Sequence, residues 1–147
     1  MNAMLLLCDA AQICDNKLYI LGGGWTLYGA NSAAFAVAIK LSIDQHECDK
    51  DLLWELLLED ADGHRVMSGP EGAQRPIQID GGLRAASPPE GTIGFAAGDP
   101  VPLPLAVSWG PLRLPANQRF VWRFTVDGET PPGGLVSFST APVPEPV

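Results

Sequence analysis

The clearest structural signal lies in residues 35–43, which read Phe35-Ala36-Val37-Ala38-Ile39-Lys40-Leu41-Ser42-Ile43. Large apolar side chains occupy every second position, and the positions between them hold alanine, lysine or serine. Because successive side chains of a strand point to opposite faces, this alternation predicts a β-strand over Ala33–Ile43. We expect one of its faces to be buried and the other to be small or wet.

The same alternation recurs later in the chain. Arg119–Val126 places Phe120, Trp122 and Phe124 on one face, and Leu103–Trp109 repeats the pattern. We predict both segments as strands whose apolar side chains lie between two sheets. Shorter apolar runs predict further strands at Met4–Cys8, Leu18–Leu21, Trp25–Tyr28, Ile77–Ile79 and Leu135–Ser139.

The segment Asp51–Glu59 fits both a helical stripe and one face of a strand, so its period alone leaves both interpretations open. The sequence after it favours the strand. Asp60-Ala61-Asp62-Gly63 has the composition of a tight turn, and Arg65-Val66-Met67 can return beside the first run. We therefore predict a β-hairpin here.

Sixteen glycines and fourteen prolines among 147 residues limit long helices and favour short strands joined by turns. The strands do not alternate with helical segments, so we predict an all-β fold. The expected architecture is a single-domain antiparallel two-sheet β-sandwich, immunoglobulin-like or C2-like, over residues 1–141. Residues 142–147 read Pro-Val-Pro-Glu-Pro-Val and predict a Pro-rich flexible C-terminal tail.

The charge balance and the cysteine count restrict the classes of partner and compartment. Seventeen acidic and nine basic residues give a formal charge of −8, which argues against a nucleic-acid partner. No apolar run approaches the roughly 18 residues of a membrane span, so no membrane partner is expected. Three cysteines are too few for a disulfide framework, and no basic residue precedes Lys17 as a secretory signal would require. We expect a cytoplasmic protein.

Two groups of residues have metal-ligand chemistry, and neither has the spacing of a known site. His46-Glu47-Cys48 lies near Asp44 and Asp49, but zinc sites usually pair such a group with a second cluster. Asp60-Ala61-Asp62-Gly63 begins like a calcium loop, but its glycine comes too early for an EF-hand. We interpret them as a solvated loop and a hairpin turn, and we predict no metal.

Motifs for phosphate binding and for nucleophilic catalysis are likewise incomplete. Gly22-Gly23-Gly24 is not followed by the Gly-Lys-Ser/Thr of a phosphate loop, and it predicts a bulge or a close backbone crossing. No serine has the two flanking glycines of the Gly-x-Ser-x-Gly elbow. We therefore predict no catalytic residue and no cofactor, and we expect the chain not to be an enzyme.

Three segments carry a family likeness: Ala10-Ala11-Gln12 after Asp9, Lys17-Leu18-Tyr19-Ile20-Leu21-Gly22-Gly23-Gly24-Trp25, and Arg119-Phe120-Val121-Trp122-Arg123-Phe124-Thr125-Val126-Asp127-Gly128-Glu129. Together they resemble a family of small uncharacterised bacterial β-sandwich proteins. The resemblance implies the sandwich fold. It implies no activity and no functional residues.

The remaining function class is interaction. The loop Ala85–Pro100 presents Ile93 and Phe95 among small residues, and Pro102 and Pro104 mark a sheet edge. We hypothesise a non-catalytic protein-binding or assembly module that self-associates or serves as a structural or decoration subunit, with these four residues as its interaction surface. The alternative is a small enzyme or ligand carrier with a pocket between the sheets.

Overall fold

The computed structural model describes residues 1–29 and 33–144. Their regular structure is β-strand apart from one short 3₁₀ turn, Gln45–Glu47, so the all-β prediction is confirmed. The strands are β1 Asn2–Cys14, β2 Lys17–Gly23, β3 Leu27–Tyr28, β4 Phe35–Ile43, β5 Leu52–Asp60, β6 Met67–Ser68, β7 Arg75–Pro76, β8 Gln78–Leu83, β9 Val101–Trp109, β10 Arg119–Val126 and β11 Leu135–Thr140.

The strands form two main sheets. Sheet A has the order β2-β1-β4-β9, and sheet B has the order β3-β11-β10-β5-β8. β6 and β7 form a separate two-stranded ribbon. All pairs of sheet A are antiparallel, as predicted. Sheet B is mixed, because β3 runs parallel to β11 over two residue pairs at the sheet edge.

The core lies between the two sheets and takes large side chains from both. Trp122 and Phe124 of β10 are fully buried, as are Val37 and Ile39 of β4. The rings of Trp109 from sheet A and Trp122 from sheet B lie 4.8 Å apart. Contact between side chains of opposite sheets is what the predicted two-sheet packing requires. The choice between an immunoglobulin-like and a C2-like form stays a prediction.

The outer face of β4 departs from the expectation of a small or wet surface. Ala36 and Ala38 are small but buried, and they form a second apolar cluster with Cys8. Lys40 alone of the outer-face residues is exposed. Another part of the chain therefore covers one end of this face.

The ambiguous segment 51–59 forms a strand, as the hairpin argument predicted. The turn after it is closed by Asp60, whose carboxylate Oδ1 accepts hydrogen bonds from the backbone N–H groups of Asp62 and His64, both at 2.9 Å. Val66 then donates from its backbone to Leu58. In sheet B, β5 pairs with β10 and with β8, and the sequence predicted β8 only in part. The predicted return strand at Arg65–Met67 forms only an isolated bridge with β5, between Glu59 and Arg65, so the hairpin was predicted wrongly in its second strand.

The glycine triplet does not form a bulge. The pairing of β1 with β2 keeps one register from Cys8–Gly23 to Cys14–Lys17, so no extra residue enters either strand. Gly22 has a positive φ of 60°, and a Cβ atom there would overlap the Asp9 carboxylate. Gly22 thus lies close to a side chain, that of Asp9, which neither predicted alternative, a bulge or a close backbone crossing, describes.

Residues 141–144, which follow β11, have no regular structure. The backbone N–H of Ala141 donates to Tyr28, and residues 141–144 continue without helix or strand. Residues 145–147 of the predicted tail lie outside the described residues. Within residues 1–29 and 33–144, no helix has the length and the apolar character needed to cross a membrane.

Candidate protein-interaction surface

The predicted interaction residues Ile93 and Phe95 lie on the long connection between β8 and β9. Ile93 is 98% exposed and Phe95 is 37% exposed. The connection is anchored to the 3₁₀ turn, because Gln45 Nε2 donates to the carbonyl oxygens of Ala96 at 3.1 Å and Asp99 at 2.9 Å. An isolated apolar side chain on a turn offers little contact area, so Ile93 alone makes a poor docking surface.

Pro102 and Pro104 lie on β9, the outer strand of sheet A. Their pairing with Ser42 and Lys40 of β4 is part of an unbroken register. Because proline has no N–H, this register requires both proline nitrogens to face away from β4. They remove hydrogen-bond donors from the free edge and so protect it from pairing. The assignment of these residues to a binding surface stays a prediction, and their geometry favours a protective role.

The structure draws attention to a different feature, the hairpin of β1 and β2. β1 pairs with β4 from Asn2 to Cys8 and with β2 from Cys8 to Cys14. The second half of β1 therefore extends past β4 together with β2. We call residues 9–22 the arm.

The arm ends in a two-residue turn. Asp15 and Asn16 have positive φ angles of 50° and 57°. Positive φ at both central residues is characteristic of the type I′ turn, whose twist matches that of paired strands. Aspartate and asparagine tolerate this conformation better than most residues. The local sequence therefore specifies a tight hairpin with Cys14 and Lys17 paired at its end.

One face of the arm rests on the outer face of sheet A. Ala11 and Leu18 pack against the cluster of Cys8, Ala36 and Ala38, and β2 also approaches β9. This contact explains why the alanines of β4 are buried. It also fixes the arm against the body of the protein.

The opposite face of the arm is apolar and exposed. Paired residues share a face, which places Leu21 beside Ala10 and Tyr19 beside Gln12. Leu21 is 70% exposed and Tyr19 is 49% exposed. These four residues line a shallow groove of about 330 Å³, to which Ala11 and Ile20 of the neighbouring strand positions also contribute. This arm face is the candidate interaction surface.

The arm also has an open backbone edge. In a two-residue hairpin the pair next to the turn is hydrogen-bonded, and bonded and non-bonded pairs alternate from there. Lys17, Tyr19 and Leu21 therefore direct their backbone groups to β1, whereas Leu18 and Ile20 direct theirs outward. In the part of the chain that the structure describes, no strand pairs with this outer edge.

The charge at this surface differs from that of the whole chain. The chain carries −8, but β2 contains no acidic residue and has Lys17 as its one charged side chain. Edge strands are commonly protected by charges or prolines. The outer edge of β2 between Leu18 and Leu21 has neither.

The sequence contained a signal for this surface. Leu18-Tyr19-Ile20-Leu21 is apolar without alternation, which is typical of a strand covered on both faces. In the monomer only one face is covered. The prediction of this run as a strand is confirmed.

The predicted loop around residues 44–48 brings ligand-type groups together. Asp44, His46 and Glu47 each offer a ligand atom within 4.8 Å of the others. The Met1 ammonium lies 2.6 Å from Asp44 and 3.4 Å from Glu47. Its hydrogen bond lowers the pKa of the Asp44 carboxyl and raises the pKa of the ammonium. Since one ammonium already contacts both carboxylates, the cluster gives no independent support for a metal.

A second group joins Asp60, Asp62 and His64, again within 4.8 Å. Asp60 Oδ1 is already the acceptor that closes the hairpin turn. His64 Nδ1 lies 3.8 Å from Asp60 Oδ2, and its side chain is largely exposed. The geometry is that of a solvated turn, which agrees with the interpretation from the sequence.

Comparison with models of protein families, with curated proteins and with solved structures found no match. The resemblance to small bacterial β-sandwich proteins therefore stays a prediction. The fold and the exposed arm are what define this protein structurally.

Proposed function

We propose that this chain is a non-catalytic protein-binding or assembly module and that the arm is its docking surface. The observation that carries the proposal is one strand, β2, which combines exposed apolar side chains with a backbone edge that none of the described strands pairs. Strand edges of this kind pair readily with another chain. A structural or decoration subunit of a larger assembly is one form that such a module takes.

The composition of the arm supports a protein as the partner. Tyr19 and Leu21 supply amphipathic and apolar contact area, and aromatic side chains are enriched at the centres of protein interfaces. The charge of −8 disfavours a nucleic acid. A cytoplasmic location agrees with three cysteines that are all free thiols.

The packing between the sheets favours a binding module over a carrier with a pocket there. Trp122, Phe120 and Phe124 fill this space and are fully buried. The cavity of about 420 Å³ beside Met1 lies at the rim and is lined by Asp44, Pro131 and other connecting residues.

A matched pair of leucine variants tests the proposal. Leu21 of the arm and Leu53 of β5 are both strand leucines, 70% and 69% exposed. A lysine at position 21 places a charge in the proposed docking face, whereas a lysine at position 53 leaves the arm unchanged. We expect Leu21→Lys to have a lower native mass than the assembled wild type, or to capture none of the proteins that the wild type captures. We expect Leu53→Lys to behave like the wild type in both measurements.

Deletion of residues 89–98 is the complementary test, because it removes Ile93 and Phe95 and leaves the arm intact. We expect this deletion to preserve assembly. If the deletion abolishes assembly and Leu21→Lys does not, the docking surface is the loop, and the proposal for the arm is wrong.

A further inference from the structure

We propose that the partner of the arm is a second copy of this chain, joined by antiparallel pairing of β2 with β2 about a two-fold axis. The proposal rests on the docking function of the arm and identifies the molecule that binds there. The pairing would continue sheet A across two copies. An isologous contact of this kind is the commonest form of homo-oligomer interface.

The backbone geometry of β2 limits the possible register. Leu18 and Ile20 are the strand residues whose backbone groups face outward, by alternation from the turn. Gly22 would be the next, but its φ of +60° takes the backbone out of the extended conformation. The regular outer edge therefore runs from Lys17 to Leu21, and its centre is Tyr19.

A two-fold axis at Tyr19 uses both outward residues of each copy. Leu18 pairs with Ile20 of the second copy and Ile20 pairs with Leu18 of the second copy, each pair exchanging two N–H···O bonds. Tyr19 then faces Tyr19 of the second copy in a non-bonded pair, where side chains approach closely. Leu21 faces Lys17 of the second copy, whose aliphatic stem can cover it.

The charges of β2 permit this contact between two acidic proteins. No carboxylate lies on β2, and the two Lys17 ammonium groups stand on positions four residues apart along the paired strands. That separation is about 14 Å at roughly 3.4 Å per residue. It exceeds the Debye length of about 8 Å at physiological ionic strength, so the repulsion between the lysines is screened.

The other sheet edges are less suited to self-pairing. β9 carries Pro102 and Pro104 on its free edge, and β8 carries the exposed charge of Asp80. β3 is only two residues long. Prolines, charges and short length are the usual protections of edge strands; the outer edge of β2 has no proline, and its one charge, Lys17, lies at its end beside the turn.

The available area predicts a weak dimer. Tyr19, Ile20 and Leu21 are 49%, 41% and 70% exposed. With large side chains of about 200 Å² each, they expose roughly 300 Å² per copy. The exposed area of these residues, summed over two copies, falls well short of the roughly 1,200–2,000 Å² of total surface that stable interfaces bury. We expect a dissociation constant weaker than about 1 µM, so that assembly follows protein concentration.

Cysteine cross-linking tests the register. In a Cys14→Ser background, Tyr19→Cys places two thiols on residues about 4.5 Å apart between Cα atoms, which suits a disulfide. We expect Tyr19→Cys to form a covalent dimer under mild oxidation, and the control Leu53→Cys, at a position that is 69% exposed against 49% for Tyr19, to stay monomeric. Equal cross-linking of the two variants, or faster cross-linking of Ile20→Cys, would overturn the register.

Light scattering over a wide concentration range tests the occupant without any cysteine change. We expect the native mass of the wild type to rise from monomer to dimer, and that of Leu21→Lys to remain monomeric. If the wild type stays monomeric at every concentration, the proposal that a second copy binds the arm is wrong. If that monomer still captures a different protein through Leu21, the docking function survives. If Leu21→Lys changes nothing in either measurement, both proposals are wrong.

Discussion

Replacement of Trp122 by alanine removes the largest fully buried side chain of the core. Trp122 lies on β10, the central strand of sheet B, between Leu58 of β5 and Val136 of β11. Its ring also contacts Trp109 from sheet A at 4.8 Å between centroids. Because neighbours on three sides belong to paired strands, the site can collapse only slightly after truncation.

The expected loss of stability follows from this confinement. Truncation of a buried tryptophan to alanine costs about 3–5 kcal/mol, and poor collapse places the value toward the upper end. The Trp122 indole N–H, however, has no hydrogen-bond partner among the described residues. Removal of an unpartnered buried donor removes its desolvation penalty, which offsets the loss of stability by about 1–3 kcal/mol. We therefore expect Trp122→Ala to cost about 3 kcal/mol and Trp122→Phe to cost less than about 1.5 kcal/mol.

Urea unfolding followed by far-UV circular dichroism measures both variants without relying on tryptophan emission. We expect the midpoint to fall in the order wild type, Trp122→Phe, Trp122→Ala, with an unchanged m-value. A loss below about 1 kcal/mol for Trp122→Ala would place the side chain outside the core. A loss for Trp122→Phe well above about 1.5 kcal/mol would mean that the indole N–H donates to an acceptor, because this variant removes the donor and keeps an aromatic ring in the core.

Three further predictions concern single residues. Alkylation of the native protein should label Cys14, which is exposed. It should not label Cys8, because burial raises the pKa of that thiol; peptide mass spectrometry identifies the labelled cysteines. Gly22→Ala should destabilise by about 1–2 kcal/mol in urea, because Gly22 has a left-handed backbone; an unchanged midpoint would contradict the close approach. Hydrogen bonds from Ser87 lower the pKa of the Asp49 carboxyl in the folded protein. The stabilisation by Asp49 is therefore complete above the pKa of about 3.9 that the carboxyl has in the unfolded chain, and it is lost as the pH falls through the lower pKa of the folded protein. The protection of the Ser87 amide from hydrogen exchange, relative to an unstructured amide at the same pH, should fall in that acid range, and Asp49→Ala should show low protection at every pH.

The sequence predicted those parts of the fold that depend on local pattern. Residues 35–43 alternate because one face meets the core, and the segment 51–59 could be assigned to a strand once its turn was recognised. The pairing of β5 with β8 and the parallel contact of β3 with β11 were not predictable. Both depend on where a long connection returns, and no local periodicity encodes that.

The interaction surface was harder to predict for a physical reason. A sequence shows which side chains are apolar, but not which of them the remaining chain covers. Ala36 and Ala38 were expected on a small or wet face and are covered by the arm, whereas Tyr19 and Leu21 of the predicted strand Leu18–Leu21 are exposed. Ile93 was correctly expected to be exposed, but its exposure is that of an isolated side chain.

Amide hydrogen exchange of Leu18 and Ile20, measured on dilute and on concentrated protein, reports docking of the arm at the backbone itself. Their N–H groups face outward from β2, whereas those of Tyr19 and Leu21 are bonded to β1 in the free chain. We predict that Leu18 and Ile20 exchange rapidly in dilute protein and become protected as concentration rises, while Tyr19 and Leu21 are protected throughout. Rapid exchange of Leu18 and Ile20 at every concentration, and in the presence of any captured protein, would contradict the assignment of the arm as the docking surface.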